Sequence, residues 1–359
     1  MAFSLETVRG MAKTDALSRL KPDLDKIVTN TTSEVWSAFE NKKILIIGGT
    51  GFFGTWLVLA LVHANRALKL GLEVSILSRN PENFSQRLPR LHETHTLKLV
   101  KGDIRNCTFP KDDFSFVVHA ATPADEQLNQ QNPELMQEII TSGTKRVLDF
   151  ATRLNKPRLL FTSSGAVYGK LGREKIYVTE EDRLPDTGVS DNLSAYARGK
   201  QSAEALCLDY YNRHGLASLI ARCFTFIGPY LPLDAHFAAG NFLRDGLSGN
   251  TIMINGDGTP VRSYLYSSDL VVWLLTILVK GLPIRPYNVG SEEAVSVAEL
   301  AEMVSKHFGV GVKIAKRAGP SQHRDIYVPS TERARKELNL AAIVSAKEAI
   351  ERTVSWLKG

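Results

Sequence analysis

Apolar positions change their period along the chain, and the changes mark its elements. Residues 1–40 are mixed, with Leu20, Leu24, Ile27 and Val28 spaced as on one helical face. A helical N-terminal extension over 1–40 that leans on the main body is expected. Lys43-Ile44-Leu45-Ile46-Ile47 is then a continuous apolar run, which suits a parallel strand covered on both faces. Residues 52–70 predict a helix, and 73–77, after Gly71, a second strand. Short apolar runs at 97–100, 116–119, 158–162 and 218–222 predict further strands. Between 119 and 158, Leu135, Ile139, Val147, Leu148, Ala151 and Leu154 recur at helical spacing. Strands alternating with helices imply right-handed crossovers and a doubly wound parallel sheet, an α/β fold, over 41–224. From about Thr225 the alternation fails and Pro and Gly become frequent. A smaller C-terminal α/β domain over 225–359 is expected, with about 263–290 returning to the first domain.

Composition narrows the class. With 359 residues, 43% hydrophobic and 23% charged, the chain has ordinary globular proportions, so disordered, collagenous and disulfide-scaffold readings are set aside. Cys107, Cys207 and Cys223 form no CxxC and leave an odd count, which fits a reducing, cytoplasmic setting. The longest apolar run, Val271 to Val279, is broken by Thr276 and is far below the ~20 residues that span a bilayer, so no membrane partner is expected. The 44 Lys+Arg against 38 Asp+Glu give a net charge of +6. These charges are scattered, with no basic stripe for nucleic acid, and a small phosphate-bearing ligand accounts for them as well.

The first chemistry-bearing motif is Gly48-Gly49-Thr50-Gly51-Phe52-Phe53-Gly54, where the first strand feeds the first helix. Glycines at 48, 51 and 54 allow a tight turn and close approach to a pyrophosphate, which the helix N-terminus then faces. The dinucleotide-binding turn of a Rossmann sheet is therefore expected, the competing reading being a plain strand-to-helix turn. The end of the second strand selects the cofactor. An NAD site usually places a carboxylate there for the ribose 2′-OH. This chain has Ser78-Arg79, and a guanidinium can pair with a 2′-phosphate, so NADP is favoured over NAD. The competing reading is that Arg79 merely faces solvent.

Among the ten tyrosines only Tyr196 has a lysine four residues on, Lys200, a spacing that puts both on one helix face. A phenol of pKa ~10 needs a shift of ~3 units to act as a base near neutrality. A neighbouring ammonium, a helix N-terminus and a nicotinamide cation could supply it. Phe161-Thr162-Ser163-Ser164 ends the fifth strand, and its hydroxyls should project into the ligand crevice. Ser164 is the choice to hydrogen-bond the reacting oxygen, with Thr162 or Ser163 as alternatives. The only close histidine pair, His92 and His95, sits in a polar connection and lacks the further ligands of a zinc site, so no metal is expected.

In this order the residues resemble the extended short-chain dehydrogenase/reductase family, specifically its nucleotide-sugar epimerases, dehydratases and reductases. The likeness covers roughly residues 42–358. Gly48-x-x-Gly51-x-x-Gly54 matches the cofactor turn. Gly102-Asp103-Ile104-Arg105 resembles the segment whose acid and next residue, here Asp103 and Ile104, flank the adenine. His119-Ala120-Ala121 matches the stretch that lines the cofactor, and Thr122 and Thr162 are included with it. Ser164 through Gly169 and then Tyr196 and Lys200 resemble the catalytic set. Further on, Arg222-Cys223-Phe224-Thr225 through Pro229 resembles the segment that opens the sugar-nucleotide site, with Thr225 where Asn is more usual. Asn255-Gly256-Asp257-Gly258, followed by Arg262, resembles the turn whose arginine grips a diphosphate; Arg324 suits a second phosphate contact, and Asn241 is a weaker candidate. The resemblance implies a nucleotide-sugar substrate, NADP or NAD as cofactor, and a homodimer formed by the helices at 133–154 and 196–213.

Departures from the family's pattern bear on the reaction. The resembling 4,6-dehydratases carry an Asp-Glu pair after the catalytic hydroxyl, and the decarboxylases keep a Glu at the second position. This chain has Gly165-Ala166, which cannot transfer protons, unless Glu180, Glu181 or Asp182 substitutes. What remains is hydride transfer at the sugar C4 with Tyr196 as acid and base, in a 4-ketoreductase or a 4-epimerase; Gly165 is expected at the substrate. A protein that binds NADP without turnover, as a sensor, is the other alternative.

Overall fold

The computed structural model describes residues 15–88, 91, 96–122, 126–169, 176–182, 184–185, 193–235, 237–317 and 325–359. Seven strands form its central sheet: β1 (Lys43–Ile47), β2 (Glu73–Ser78), β3 (Leu97–Lys101), β4 (Phe116–His119), β5 (Arg158–Ser164), β6 (Ala217–Cys223) and β11 (Pro286–Val289). All pair in parallel, in the spatial order β11-β6-β5-β4-β1-β2-β3. The order reverses between β1 and β4, and a doubly wound sheet opens its ligand crevice at that point. Both faces of β1 are covered, and Ile44, Leu45, Ile46 and Ile47 are buried, as the unbroken apolar run requires.

Helices cover both faces. On one side lie α1 (Asp15–Asn30), α2 (Ser33–Ser37), α3 (Phe52–Leu68) and α4 (Pro81–Arg87). Leu20, Leu24 and Ile27 of α1 share a core with Trp56 of α3. The α1 segment is also tied down by charge, since Asp23 accepts from Tyr266 at 2.6 Å and from Arg352 at 2.5 Å. The helix read as 52–70 ends two residues sooner, because Lys69 turns left-handed at φ 54°. On the other side lie α5 (Glu126–Gln131), α6 (Pro133–Ala151) and α7 (Ala195–His214), and the last two bury Ile140, Val147, Ala203 and Cys207 against the sheet.

After β6 the chain builds a second layer from β7 (Phe226–Ile227), α8 (Ala238–Leu247), β8 (Ile252–Ile254), β9 (Val261–Arg262) and β10 (Leu265–Tyr266). It returns through α9 (Ser267–Lys280), apolar from Leu270 to Leu275, to place β11 beside β6. Then β12 (Val295–Ser296), α10 (Val297–Phe308), β13 (Val312–Ile314), β14 (Ile326–Tyr327), α11 (Glu332–Leu338) and α12 (Ala346–Lys358) complete the chain. A separate core of Leu243, Ile252, Leu300, Val304, Ile350 and Val354 holds this layer together. No helix among the described residues is long and apolar enough to cross a membrane.

Candidate active site

A cleft of about 1380 Å³ runs between the carboxyl ends of the sheet strands and the second layer. Its floor at one end is the turn between β1 and α3. Gly48 sits at φ +86°, and a Cβ there would fall 2.7 Å from the backbone nitrogen of Ala121. A Cβ on Gly54 would fall 2.4 Å from the carbonyl oxygen of Gly48. Both positions therefore need glycine, and the turn can close without side chains. Gly51 caps α3 with no side-chain hydrogen bond, so the free N–H groups of that helix are left for a ligand. Gly48, Gly51, Phe52, Phe53 and Gly54 line the cleft, and so do Arg79, Ala120 and Thr122.

Some residues expected at the cofactor are placed behind this surface. The hydroxyls of Thr50 and Ser78 hydrogen-bond each other at 2.8 Å, tying the glycine turn to the tip of β2. Ile104 is buried beneath Gly143. Asp103 accepts both branches of Arg105, at 3.0 and 2.8 Å, and that guanidinium holds its carboxyl down to about 2. Ala121 contributes backbone against Gly48. Arg87, which no spacing signalled, donates to the carbonyl oxygen of Thr50 at 3.0 Å and to Thr55 at 2.7 Å.

The catalytic candidates meet where β5 ends. Ser194 caps α7 by accepting from Ala197 N, and Tyr196 and Lys200 then rise on one face of that helix. Lys200 is 1% exposed and donates to the Thr162 carbonyl oxygen at 2.6 Å and to Thr122 Oγ1 at 2.9 Å. Burial brings its pKa down to about 8. Its ammonium lies 5.7 Å from the centre of the Tyr196 ring. The Tyr196 hydroxyl is hydrogen-bonded to Ser164, yet burial pushes its pKa up to about 12. That differs from the value near neutrality expected of a base. The Lys200 ammonium is already engaged by two oxygens. With these groups alone Tyr196 is a neutral donor.

Of the three hydroxyls that end β5, only that of Ser164 is hydrogen-bonded to Tyr196. Thr162 donates to the His119 carbonyl oxygen at 3.1 Å, and Ser163 donates to Glu204 at 2.5 Å. Glu204, one helical turn beyond Lys200, also accepts from Arg222 at 2.7 and 3.1 Å. Arg222 donates on to Tyr168 at 2.9 Å, and Tyr168 to Asn288 at 2.8 Å. This buried chain fixes β5, α7, β6 and β11 under the cleft. His119 is buried too and stays neutral, its pKa pushed down to about 3.

At the far end, Thr225, Asn241 and Arg262 line the cleft. The Thr225 hydroxyl is buried without a partner, a polar atom facing a space that a ligand can fill. Asn241 accepts from Arg244 at 3.2 Å. Arg262 is paired with Asp325 at 2.6 Å, so its charge is partly spent. Gly165 lies behind the cleft wall, buried against Phe224 and Tyr327. Arg324 and the pair His92/His95 lie outside the described residues. No group of three or more His, Cys, Asp or Glu that could hold a metal ion occurs among the described residues.

The model of the NAD dependent epimerase/dehydratase family matches residues 44–290. UDP-glucuronic acid decarboxylase 3 of Arabidopsis thaliana is 30% identical over 276 residues, covering 76% of this chain and 77% of that protein. The solved UDP-glucuronic acid 4-epimerase from Bacillus cereus, in complex with UDP-glucuronic acid and NAD, has a TM-score of 0.74 at 22% identity, covering 88% of this chain and 99% of that one. The dTDP-glucose 4,6-dehydratase from Bacillus anthracis, in complex with NAD, has a TM-score of 0.73 at 21% identity, covering 88% and 96%. A doubly wound sheet, a glycine turn under an uncapped helix, a Tyr-Lys pair at the end of β5 and a family match over most of the chain converge: this chain belongs to the NAD dependent epimerase/dehydratase family, enzymes of the extended short-chain dehydrogenase/reductase type.

Proposed function

We propose that this chain acts on a nucleotide-sugar by hydride transfer at the sugar C4, as a 4-ketoreductase or a 4-epimerase. The observation that carries the reading is the meeting of Ser164, Tyr196 and Lys200 in one cleft beside Gly165-Ala166, whose side chains can move no proton. The glycine turn and the α3 N-terminus fit a dinucleotide pyrophosphate. When bound, the dinucleotide supplies or accepts the hydride. Tyr196 donates the proton to a ketone oxygen or takes it from a hydroxyl, while Ser164 hydrogen-bonds that same oxygen. Lys200 holds its positive charge near the phenol and lowers the cost of phenolate. Thr225, Asn241 and Arg262, which line the other end of the cleft, would hold the sugar-nucleotide.

The tilt within this reading is towards reduction with NADPH. Arg79 is exposed at the tip of β2 and lines the cleft, while the Ser78 hydroxyl is taken by Thr50. A neutral Tyr196 is also ready to donate. Dehydration and decarboxylation are disfavoured. Glu180, the buried acid among the candidates, is committed to the Asn288 N–H at 2.7 Å, and Glu181 to Arg333 at 2.5 Å. A homodimer through α6 and α7 is proposed; Leu208 and Tyr211 stand exposed on α7. Product NMR on UDP-glucose, UDP-galactose, UDP-glucuronic acid and dTDP-4-keto-6-deoxyglucose, each with NAD and NADPH, tests the reading. A C4 epimer or a reduced 4-keto sugar supports it. Formation of a UDP-pentose or a 4-keto-6-deoxy product overturns it.

A further inference from the structure

The geometry points to Tyr327 as a second hydroxyl of the catalytic pocket: it fills the space left beside Ser164 by the missing side chain of Gly165 and, with Ser164, holds the reacting oxygen of the sugar against Tyr196. The inference rests on the hydride-transfer reading above and names a further residue for that site.

Tyr327 comes from β14, which pairs in parallel with β9, and reaches across to the turn after β5. A Cβ built on Gly165 would lie 2.7 Å from the Tyr327 hydroxyl oxygen and 2.6 Å from the Phe224 ring. No side chain at 165 can coexist with this phenol. The position where related dehydratases carry an acid is therefore occupied, by a group from the other layer. Tyr327 also lines the cleft.

Three hydroxyls result. Ser164 is hydrogen-bonded to both Tyr196 and Tyr327, and it accepts from the Ala166 N–H at 3.2 Å. A serine hydroxyl has one proton to give and two lone pairs, and the Ala166 N–H takes one of those pairs, so Ser164 can accept from only one phenol. Of two phenols around it, at least one therefore keeps its proton for another acceptor, and an oxygen entering the cleft is that acceptor. The two phenols differ in charge environment. Tyr196 stands beside Lys200, whose ammonium is buried among neutral oxygens. Among the described residues the cation near Tyr327 is Arg262, 5.8 Å from its ring centre, and its charge is shared with Asp325. Burial also holds the Tyr327 hydroxyl above its ordinary pKa. Tyr196 carries the proton, and Tyr327 only donates a hydrogen bond. Its ring is held for the task by Phe224, with centroids 4.7 Å apart.

The test uses the full chain, the nucleotide-sugar from the panel that wild type converts, and two variants, Tyr327→Phe and Gly165→Ala. Tyr327→Phe should lower kcat ~10–100-fold with KM changed less than ~3-fold and NAD(P) affinity unchanged, as for loss of one donor to a developing oxyanion. Gly165→Ala should lower kcat similarly by displacing the hydroxyl, and the double variant should lose little more than either single one. Unchanged kcat in Tyr327→Phe, multiplicative loss in the double variant, or a fall in NAD(P) affinity in Tyr327→Phe would each overturn the role while leaving the hydride-transfer reading in place. A wild type that converts none of the panel would remove that reading, and the role with it.

Discussion

The two ends of the cleft are built from different material. The end proposed for the dinucleotide is largely backbone: a glycine turn and an uncapped helix, with side chains such as Thr50, Ser78 and Ile104 working from behind. The sugar end is side chains, gathered from β5, α7, β9 and β14 across more than 160 positions of sequence. Backbone sites are made by local conformation, and so tolerate change around them. Side-chain sites depend on distant elements arriving in register, and a single atom is felt.

Removing the Tyr196 hydroxyl should break the sugar end most completely. Tyr196→Phe is expected to lower kcat by ~10³-fold or more while leaving dinucleotide affinity within ~3-fold, as measured by steady-state kinetics and calorimetry. Comparable loss of both would mean the two ends are not separable. The next largest effect is on the support beneath them. Glu204→Gln leaves the Arg222 guanidinium buried without its counter-charge and should cost about 3–5 kcal/mol in urea unfolding.

Lys200 sharpens the comparison through pH. Its pKa is about 8 when folded and ~10.4 when unfolded, so between these values the unfolded chain holds the extra proton and stability rises with pH. Wild type should gain up to about 3 kcal/mol on Lys200→Met between pH 8 and 10.5, with no relative change below pH 7. A flat difference across that window would show that the folded ammonium is not destabilised. The smallest effect belongs to the exposed rim of the dinucleotide end. Arg79→Ala should weaken NADP ~10-fold and NAD hardly at all; equal weakening would separate Arg79 from the 2′-phosphate.

The same contrast explains what could be read from the residues alone. Strand positions and the glycine turn were legible because they rest on local signals, an apolar run followed by glycines at fixed spacing. Tyr196 and Lys200 were legible because four residues make one helical turn. Tyr327 left no such mark: it is an ordinary tyrosine in a two-residue strand, and only the packing of β14 against the β5 turn gives it a place. Asp103 and Arg262 carried the expected residue types, but their charges are engaged, Asp103 by Arg105 of its own motif and Arg262 by Asp325, a partner that its motif does not display. Arg87 and Glu204 show the same limit, since each gains its role from a neighbour in space.

The late return of β11 to the edge of the main sheet has a practical consequence for dissection. A recombinant fragment stopped after β6 would keep every glycine of the dinucleotide turn, yet it would expose the backbone donors and acceptors that β6 now shares with β11. Such a bare strand edge invites intermolecular pairing, so the fragment should precipitate or form aggregates rather than bind nucleotide by itself.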